Sequence, residues 1–267
     1  MSGNKSQSCI ASIVRQWRQK PATRDPRPTP RQLQAFVQND PESLQAKVAM
    51  SPYAAIMASP LRLCKFSRGV FPSKLLIRFG IGWHPKSKQA WVHPTIGKSQ
   101  SQGNYVKLQR RTLEVFHSKG GYRGVFRGAA TFREDMTEEV QKVVFRHAFD
   151  LFRQTPYGGY PILRLKGSHW ISEMDVRGFQ CILLLGGPLT ETLACSLDNK
   201  VEVVPTQKEY DKIPCYDARK IWSEKEADEI CEQLGLVSQE TVALGVPKDK
   251  ATVDLAVALW RCREFQS

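Results

Sequence analysis

Acidic side chains are missing from the start of this chain. Residues 1–24 hold Lys5, Arg15, Arg18, Lys20 and Arg24, and the first carboxylate is Asp25. Acids are nearly missing again between residues 60 and 133, where fifteen lysines and arginines stand against Glu114 alone. A block with that imbalance repels itself when it is compact, so the absence of negative charge points to an anionic partner. Long apolar runs are absent too. The longest, Cys181–Leu185 and Ala256–Trp260, fall far short of the eighteen or so residues of a membrane-spanning helix, so no transmembrane segment is expected. Cys9, Cys64, Cys181, Cys195, Cys215, Cys231 and Cys262 include no C-x-x-C pair. They read as buried thiols of a reducing compartment and not as a disulfide framework or a zinc site. No serine–histidine–acid, H-E-x-x-H, G-x-x-x-x-G-K or clustered-carboxylate motif occurs. There is accordingly no catalytic residue, metal or cofactor to assign.

What the chain does contain is enough for a real core: 267 residues, 41% of them hydrophobic, sustain one large domain or two small ones. The net charge of +13 belongs to the first half, because residues 134–195 hold six cations against eight acids and residues 196–267 hold ten against fourteen. Clustered lysine and arginine gain binding free energy by releasing phosphate counterions, which makes nucleic acid the first candidate partner. An anionic membrane surface is the second. The acidic C-terminal region would suit a protein partner.

The stretch that organises the chain is 51–79, SPYAAIMASPLRLCKFSRGVFPSKLLIRF. Ser51 and Pro52 open a short helix with Tyr53, Ile56 and Met57 at helical spacing, and Ser59-Pro60 ends it. Arg62, Lys65 and Arg68 follow, one cation every third residue, and Lys74 and Arg78 bracket an apolar strand. Such a segment presents cations at a fixed place, or is a connector with a solvated charged face.

Before it, Cys9, Ile10, Ile13, Val14 and Trp17 fall on one side of a helix whose other side carries Arg15 and Arg18. An acid-poor, Arg-bearing amphipathic start resembles a mitochondrial presequence; a basic surface helix and an RNA-binding tail are the alternatives. Residues 21–31, PATRDPRPTPR, read as a linker. A helix is expected from Thr29-Pro30 to about Asn39, and Asp40-Pro41-Glu42 reads as the start of the next.

After Leu75–Gly82, the turn around His84-Pro85 and Lys86–Lys88 predicts a hairpin returning through Gln89–His93. His84 and His93 have no third ligand nearby and read as surface or capping residues. Glycine and serine at 97–103 predict a mobile loop, and residues 104–117 read as helical. Residues 118–133, SKGGYRGVFRGAATFR, interleave glycine, aromatic and arginine. They either stack Tyr122 and Phe126 on bases beside Arg123 and Arg127, or tuck their rings onto the core.

Glu134–Arg153 is the strongest helix signal, with acids at its start and the stripe Val140, Val144, Ala148, Leu151 widened by Phe145, Phe149 and Phe152. His147 beside the stripe reads as packed. Strands follow at Pro161–Lys166, Phe179–Gly186, Lys200–Pro205, Cys215–Trp222 and Glu240–Val246. The run at 179–186, apolar on both faces, belongs at a sheet centre. Ser223 and Glu226 form a capping box for a helix ending at Gly235, and Thr252–Phe265 predicts a closing amphipathic helix. The expected fold is mixed α/β: a central mixed sheet with flanking helices and a basic helix/hairpin N-terminal half. The expected division is 1–31 presequence-like segment and linker, 32–133 basic region and 134–267 sheet region, with 32–267 as one continuous domain the alternative.

The element order also resembles Mg²⁺-dependent nucleases with a P-D…(D/E)-x-K site. That reading requires Asp175, Asp198, Glu202 or Asp217 to converge; Asp198-Asn199-Lys200 has the acid-x-Lys spacing, but no Pro-Asp pair precedes it. Surface acids are the simpler reading.

Residues Tyr53–Ile77, with Ala58-Ser59-Pro60-x-Arg62 followed by Leu75-Leu76-Ile77, resemble the fungal "required for respiratory growth protein 8" family. The likeness continues more loosely through Cys181–Leu185, Val201–Val204 and the last helix. The resemblance implies a mitochondrial protein that maintains or expresses the mitochondrial genome, including processing of its transcripts, and it brings no catalytic residues. Together these features lead to an expected RNA-associated factor of the mitochondrial matrix, required for respiratory growth and not itself an enzyme. Its phosphate contacts are expected from Arg62, Lys65, Arg68, Lys74, Arg78, Arg110, Arg111, Arg123 and Arg127, with Tyr122 and Phe126 stacking on bases. A structural protein of the mitochondrial ribosome is the second expectation and the nuclease the third.

Overall fold

The computed structural model describes residues 29–97, 103–128, 130–166, 169–171, 178–186, 200–204, 211–236 and 242–266. The presequence-like residues 1–24, most of the linker and most of the loop at 97–103 lie outside the described residues.

Three short helices lead in: α1 (Pro30–Asn39), α2 (Leu44–Ala49) and α3 (Pro52–Met57). Each start is fixed by local capping chemistry. The Thr29 side chain accepts the Gln32 N–H at 3.3 Å while the Gln32 side chain accepts the Thr29 N–H at 2.8 Å, a complete capping box. Helix α2 begins three residues later than Asp-Pro-Glu predicts, because Ser43 takes the cap and accepts the Ala46 N–H at 3.3 Å. Asp40 instead accepts the Ser43 N–H at 3.2 Å and closes the turn between the helices. Ser51 caps α3 as expected, accepting from Ala54 at 3.3 Å. Ser59 ends it, donating to the Ile56 carbonyl at 2.6 Å and accepting the Lys74 N–H at 3.3 Å, so the Ala-Ser-Pro run is tied to the chain fifteen residues on.

A two-stranded ribbon follows, β1 (Leu61–Leu63) with β2 (Val70–Pro72). Strands β3 (Leu76–His84) and β4 (Gln89–Thr95) form the predicted hairpin. The expected helix at 104–117 is two elements: strand β5 (Asn104–Lys107), paired antiparallel with Leu76–Phe79, and helix α4 (Arg110–Ser118). The free edge of β3 captures Asn104–Lys107, so sheet pairing overrides the helical pattern there. The ribbon joins this sheet where the Lys65 N–H donates to the Tyr105 carbonyl at 2.7 Å. Helix α5 (Gly121–Phe126) completes the basic half, and α6 (Met136–Gln154) is the long amphipathic helix, with Val140, Val144, Phe145, Phe149 and Phe152 buried.

The second half is a mixed sheet: β6 (Ile162–Lys166), β7 (His169–Ile171), β8 (Phe179–Gly186), β9 (Lys200–Val204), β10 (Asp211–Asp217) and β11 (Val242–Pro247). It closes on itself in the order β10-β8-β11-β6-β7-β9, with β10–β8 and β7–β9 parallel. Because the sheet is closed, β8 is not a centre strand but lies between β10 and β11, and Cys181–Leu185 are all buried. The predicted strand at 215–222 ends at Asp217. Its carboxylate accepts the Arg219 N–H at 3.0 Å and turns the chain into the short helix α7 (Ala218–Ile221). Helix α8 (Glu224–Gln233) starts on the Ser223–Glu226 capping box and stops at Gly235, whose φ of +65° is left-handed. Helix α9 (Val253–Gln266) packs against α6 and α3 and is buried nearly all round, more enclosed than an amphipathic surface helix.

The mixed α/β class thus holds. One core runs from Cys64, Phe79 and Phe116 in the basic half through α6 to β8, α8 and Phe265, so residues on both sides of position 133 share a single interior. Phe152 is central to it, stacked on Tyr157 at 4.5 Å and 5.1 Å from the Trp222 ring. Phe152→Ala is expected to cost about 3–5 kcal/mol, read as a lowered urea midpoint.

Candidate nucleic-acid interface

The rings between residues 116 and 132 face inward. Phe132 lies 4.7 Å from Tyr122 in a stacked pair, and 5.9, 6.1 and 6.2 Å from Phe116, Phe79 and Phe126. Phe66 extends the group, 5.6 Å from Phe116, and pins the loop between β1 and β2 onto α4. Phe126 is 4% exposed, which corrects the expectation that it stacks on a base, and Tyr122 is half-buried with its ring against Phe132. Burying a phenylalanine ring gains roughly 1.5–3 kcal/mol, so these rings are worth more inside than outside.

The nine expected phosphate contacts divide. Arg62, Arg68, Arg111, Arg123 and Arg127 are exposed and Lys65 is half-exposed; none of the six is in an ion pair. Arg62 and Arg123 lie over the Tyr105 and Tyr122 rings at 5.9 and 5.8 Å. The other three turn elsewhere. Arg110 braces α4 to α6, reaching Glu114 at 3.1 Å, Glu138 at 3.4 Å and Gln141 at 2.9 Å. Lys74 pairs with Asp254 of α9 at 3.3 Å. Arg78 is 7% exposed and donates to Thr95 Oγ1 at 3.0 Å, because β3 is covered on both faces where it passes. Loop position, strand burial and helix packing decide which cations stay outside.

The structure adds a feature that the sequence reading left out, the tip of the β3–β4 hairpin. Trp83 is 68% exposed beside the exposed turn residues Lys86 and Lys88. The turn is braced from within: Trp91 Nε1–H donates to Ser87 Oγ at 2.9 Å, and His84 Nδ1 is 2.9 Å from the same oxygen. His84 is thus a turn brace. The alternation Ile81, Trp83 in the strand was the available signal. Arg68, Lys88 and Arg127 share a backbone peculiarity: at φ of 60°, 51° and 50° they are the described non-glycine residues in the left-handed region, and all three are cations at turns.

Of the acids weighed for a nuclease, Asp175 and Asp198 lie outside the described residues and Glu202 is placed only as a strand position on β9. Asp217 is buried as the cap of α7. Among the described residues no three His, Cys, Asp or Glu side chains cluster as metal ligands, and no helix is long and apolar enough to cross a membrane. The described cysteines are all free and buried, and burial pushes the Cys181 thiol up to about 12. No protein-family model, curated protein or solved structure matches the chain.

Two outcomes follow from this geometry. Replacing Arg62, Lys65 and Arg68 together by glutamine should leave stability within about 0.5 kcal/mol in thermal melts, while Phe126→Ala should lose about 3–5 kcal/mol. His147 is held neutral by burial and then by the nearby Arg261 guanidinium, with a weaker push in the same direction from Lys74, against the opposite pulls of Asp150 and Asp254. The unfolded chain takes up that proton near pH 6.5, so stability falls as pH drops below about 6.5 toward the lower folded pKa. His147→Gln should flatten that fall in melts between about pH 5 and pH 7.

Proposed function

We propose that this chain is an RNA-associated factor of the mitochondrial matrix, without a catalytic centre of its own. It supports maintenance and expression of the mitochondrial genome, and so respiratory growth, by binding structured RNA or a ribonucleoprotein. Membership of the respiratory-growth family that residues 53–77 resemble is part of the same proposal, as is the presequence role of residues 1–24.

The observation that carries the RNA reading is the set of six cations, Arg62, Lys65, Arg68, Arg111, Arg123 and Arg127, left without ion pairs on a half-molecule whose aromatic residues are mostly turned inward. Phosphate neutralisation supplies binding free energy without base contacts, and recognition by phosphate position and shape is how folded RNA is read. Trp83 with Lys86 and Lys88 offers an exposed ring at one place for an unpaired base.

The test is binding of a folded tRNA precursor across a salt series. The Arg62→Gln, Lys65→Gln, Arg68→Gln variant should bind at least about tenfold more weakly, with the slope of log K against log salt shallower by about two. Unchanged affinity rejects the assignment. Crosslinking in intact mitochondria then sorts the role. Reads on precursor tRNAs or mRNA ends support a processing factor, reads confined to rRNA replace it with a ribosomal protein, and no enrichment removes RNA as the partner.

A further inference from the structure

A second concentration of positive charge lies inside the fold, apart from the exposed cations. A cavity of about 600 Å³ opens between the end of α3, strand β3, the end of β4 and helices α6 and α9. Lys74, Arg78 and Arg261 line it together with His147, which burial holds neutral, against one acid, Asp254. Asp254 is already engaged by Lys74 at 3.3 Å and is largely exposed.

Arg261 is the informative residue. It is 9% exposed, and Nη2 donates to the Leu76 carbonyl at 3.1 Å, while its buried Nε has no hydrogen-bond partner. No carboxylate pairs with it. Burial draws its pKa down to about 10, so it remains a cation at neutral pH. A buried guanidinium without a counter-charge is strongly unfavourable, and an anion bound beside it offsets that cost. The planar fork of an arginine matches the oxygens of a phosphoryl group, and every charged group at this end of the cavity other than Asp254 is a donor. The remaining wall is apolar, including Leu151, Val257 and Ala258, and the volume is that of a small-molecule site.

We propose that this cavity binds a phosphomonoester, with the phosphoryl group against Arg261, Arg78 and Lys74 and the organic body along the apolar wall. The site is independent of the exposed cations assigned to RNA. Its ligand is either a free small phosphate ester or the terminal phosphate of a nucleic-acid strand, which share this chemistry.

The experiment uses the full chain in phosphate-free buffer, with calorimetry and thermal unfolding against AMP, adenosine and RNA oligonucleotides with a 5′-phosphate or a 5′-hydroxyl. AMP should bind and raise Tm in a concentration-dependent way, and adenosine should do neither. Arg261→Met and Lys74→Met should each weaken AMP at least tenfold, and Arg261→Met should melt no lower than the parent without ligand. The triple variant at Arg62, Lys65 and Arg68 should bind AMP as the parent does, so loss of RNA binding and loss of this site are read separately. Competition with AMP by the 5′-phosphorylated oligonucleotide alone assigns the ligand to an RNA end, and binding of AMP without such competition assigns it to a free ester. No response to AMP at millimolar concentration, an equal response to adenosine, or full AMP affinity in Arg261→Met overturns the proposal. If Arg261→Met does not fold, Lys74→Met decides in the same way.

Discussion

The basic half of the molecule is assembled against one ring, Phe132. Phe79 brings the three-stranded sheet to it, Phe116 and Phe126 bring helices α4 and α5, and Phe66 adds the ribbon loop through Phe116. Arg123 lies over the Tyr122 ring and Arg127 follows the buried Phe126 at the end of α5, so both arginines stay exposed beside rings that are held in the core. A region with fifteen cations and one acid can fold as part of a shared core because its interior is organised by aromatic packing and most of its described cations lie on loops and helix flanks.

Much of this fold was legible where a few neighbouring residues settle the backbone. Ser51, Ser223 with Glu226, and Gly235 mark helix ends that the structure keeps, and the apolar run Cys181–Leu185 is buried in its sheet. It was not legible where a distant strand decides. Asn104–Lys107 is a strand because β3 has an edge to fill, and β7 exists through pairing with β6 and β9. The closure of the mixed sheet depends on β10 meeting β9 and β8 together, which no local pattern encodes.

The charged site divides along the same line. That residues 60–133 carry the positive charge is plain from the sequence. Which cations remain outside is not, since Lys74 is neutralised by a carboxylate 180 positions away and Arg110 by one on another helix. Arg261 was the least visible of all, one of two arginines that follow the apolar run of the last helix, unremarkable until α9 is packed on α6 and α3.

The three left-handed cations have a consequence for how the surface is built. A non-glycine residue in that region of backbone space is strained by roughly 1 kcal/mol or more relative to glycine. Arg68, Lys88 and Arg127 each occupy a turn where glycine would relax the chain, as it does at Gly97, Gly120 and Gly128 close by. The strain and the charge occur at the same three points, so at these turns electrostatic content is held at the expense of conformational ease. Local stability and positive potential are therefore opposed quantities on this face, and a chain optimised for one would give up some of the other.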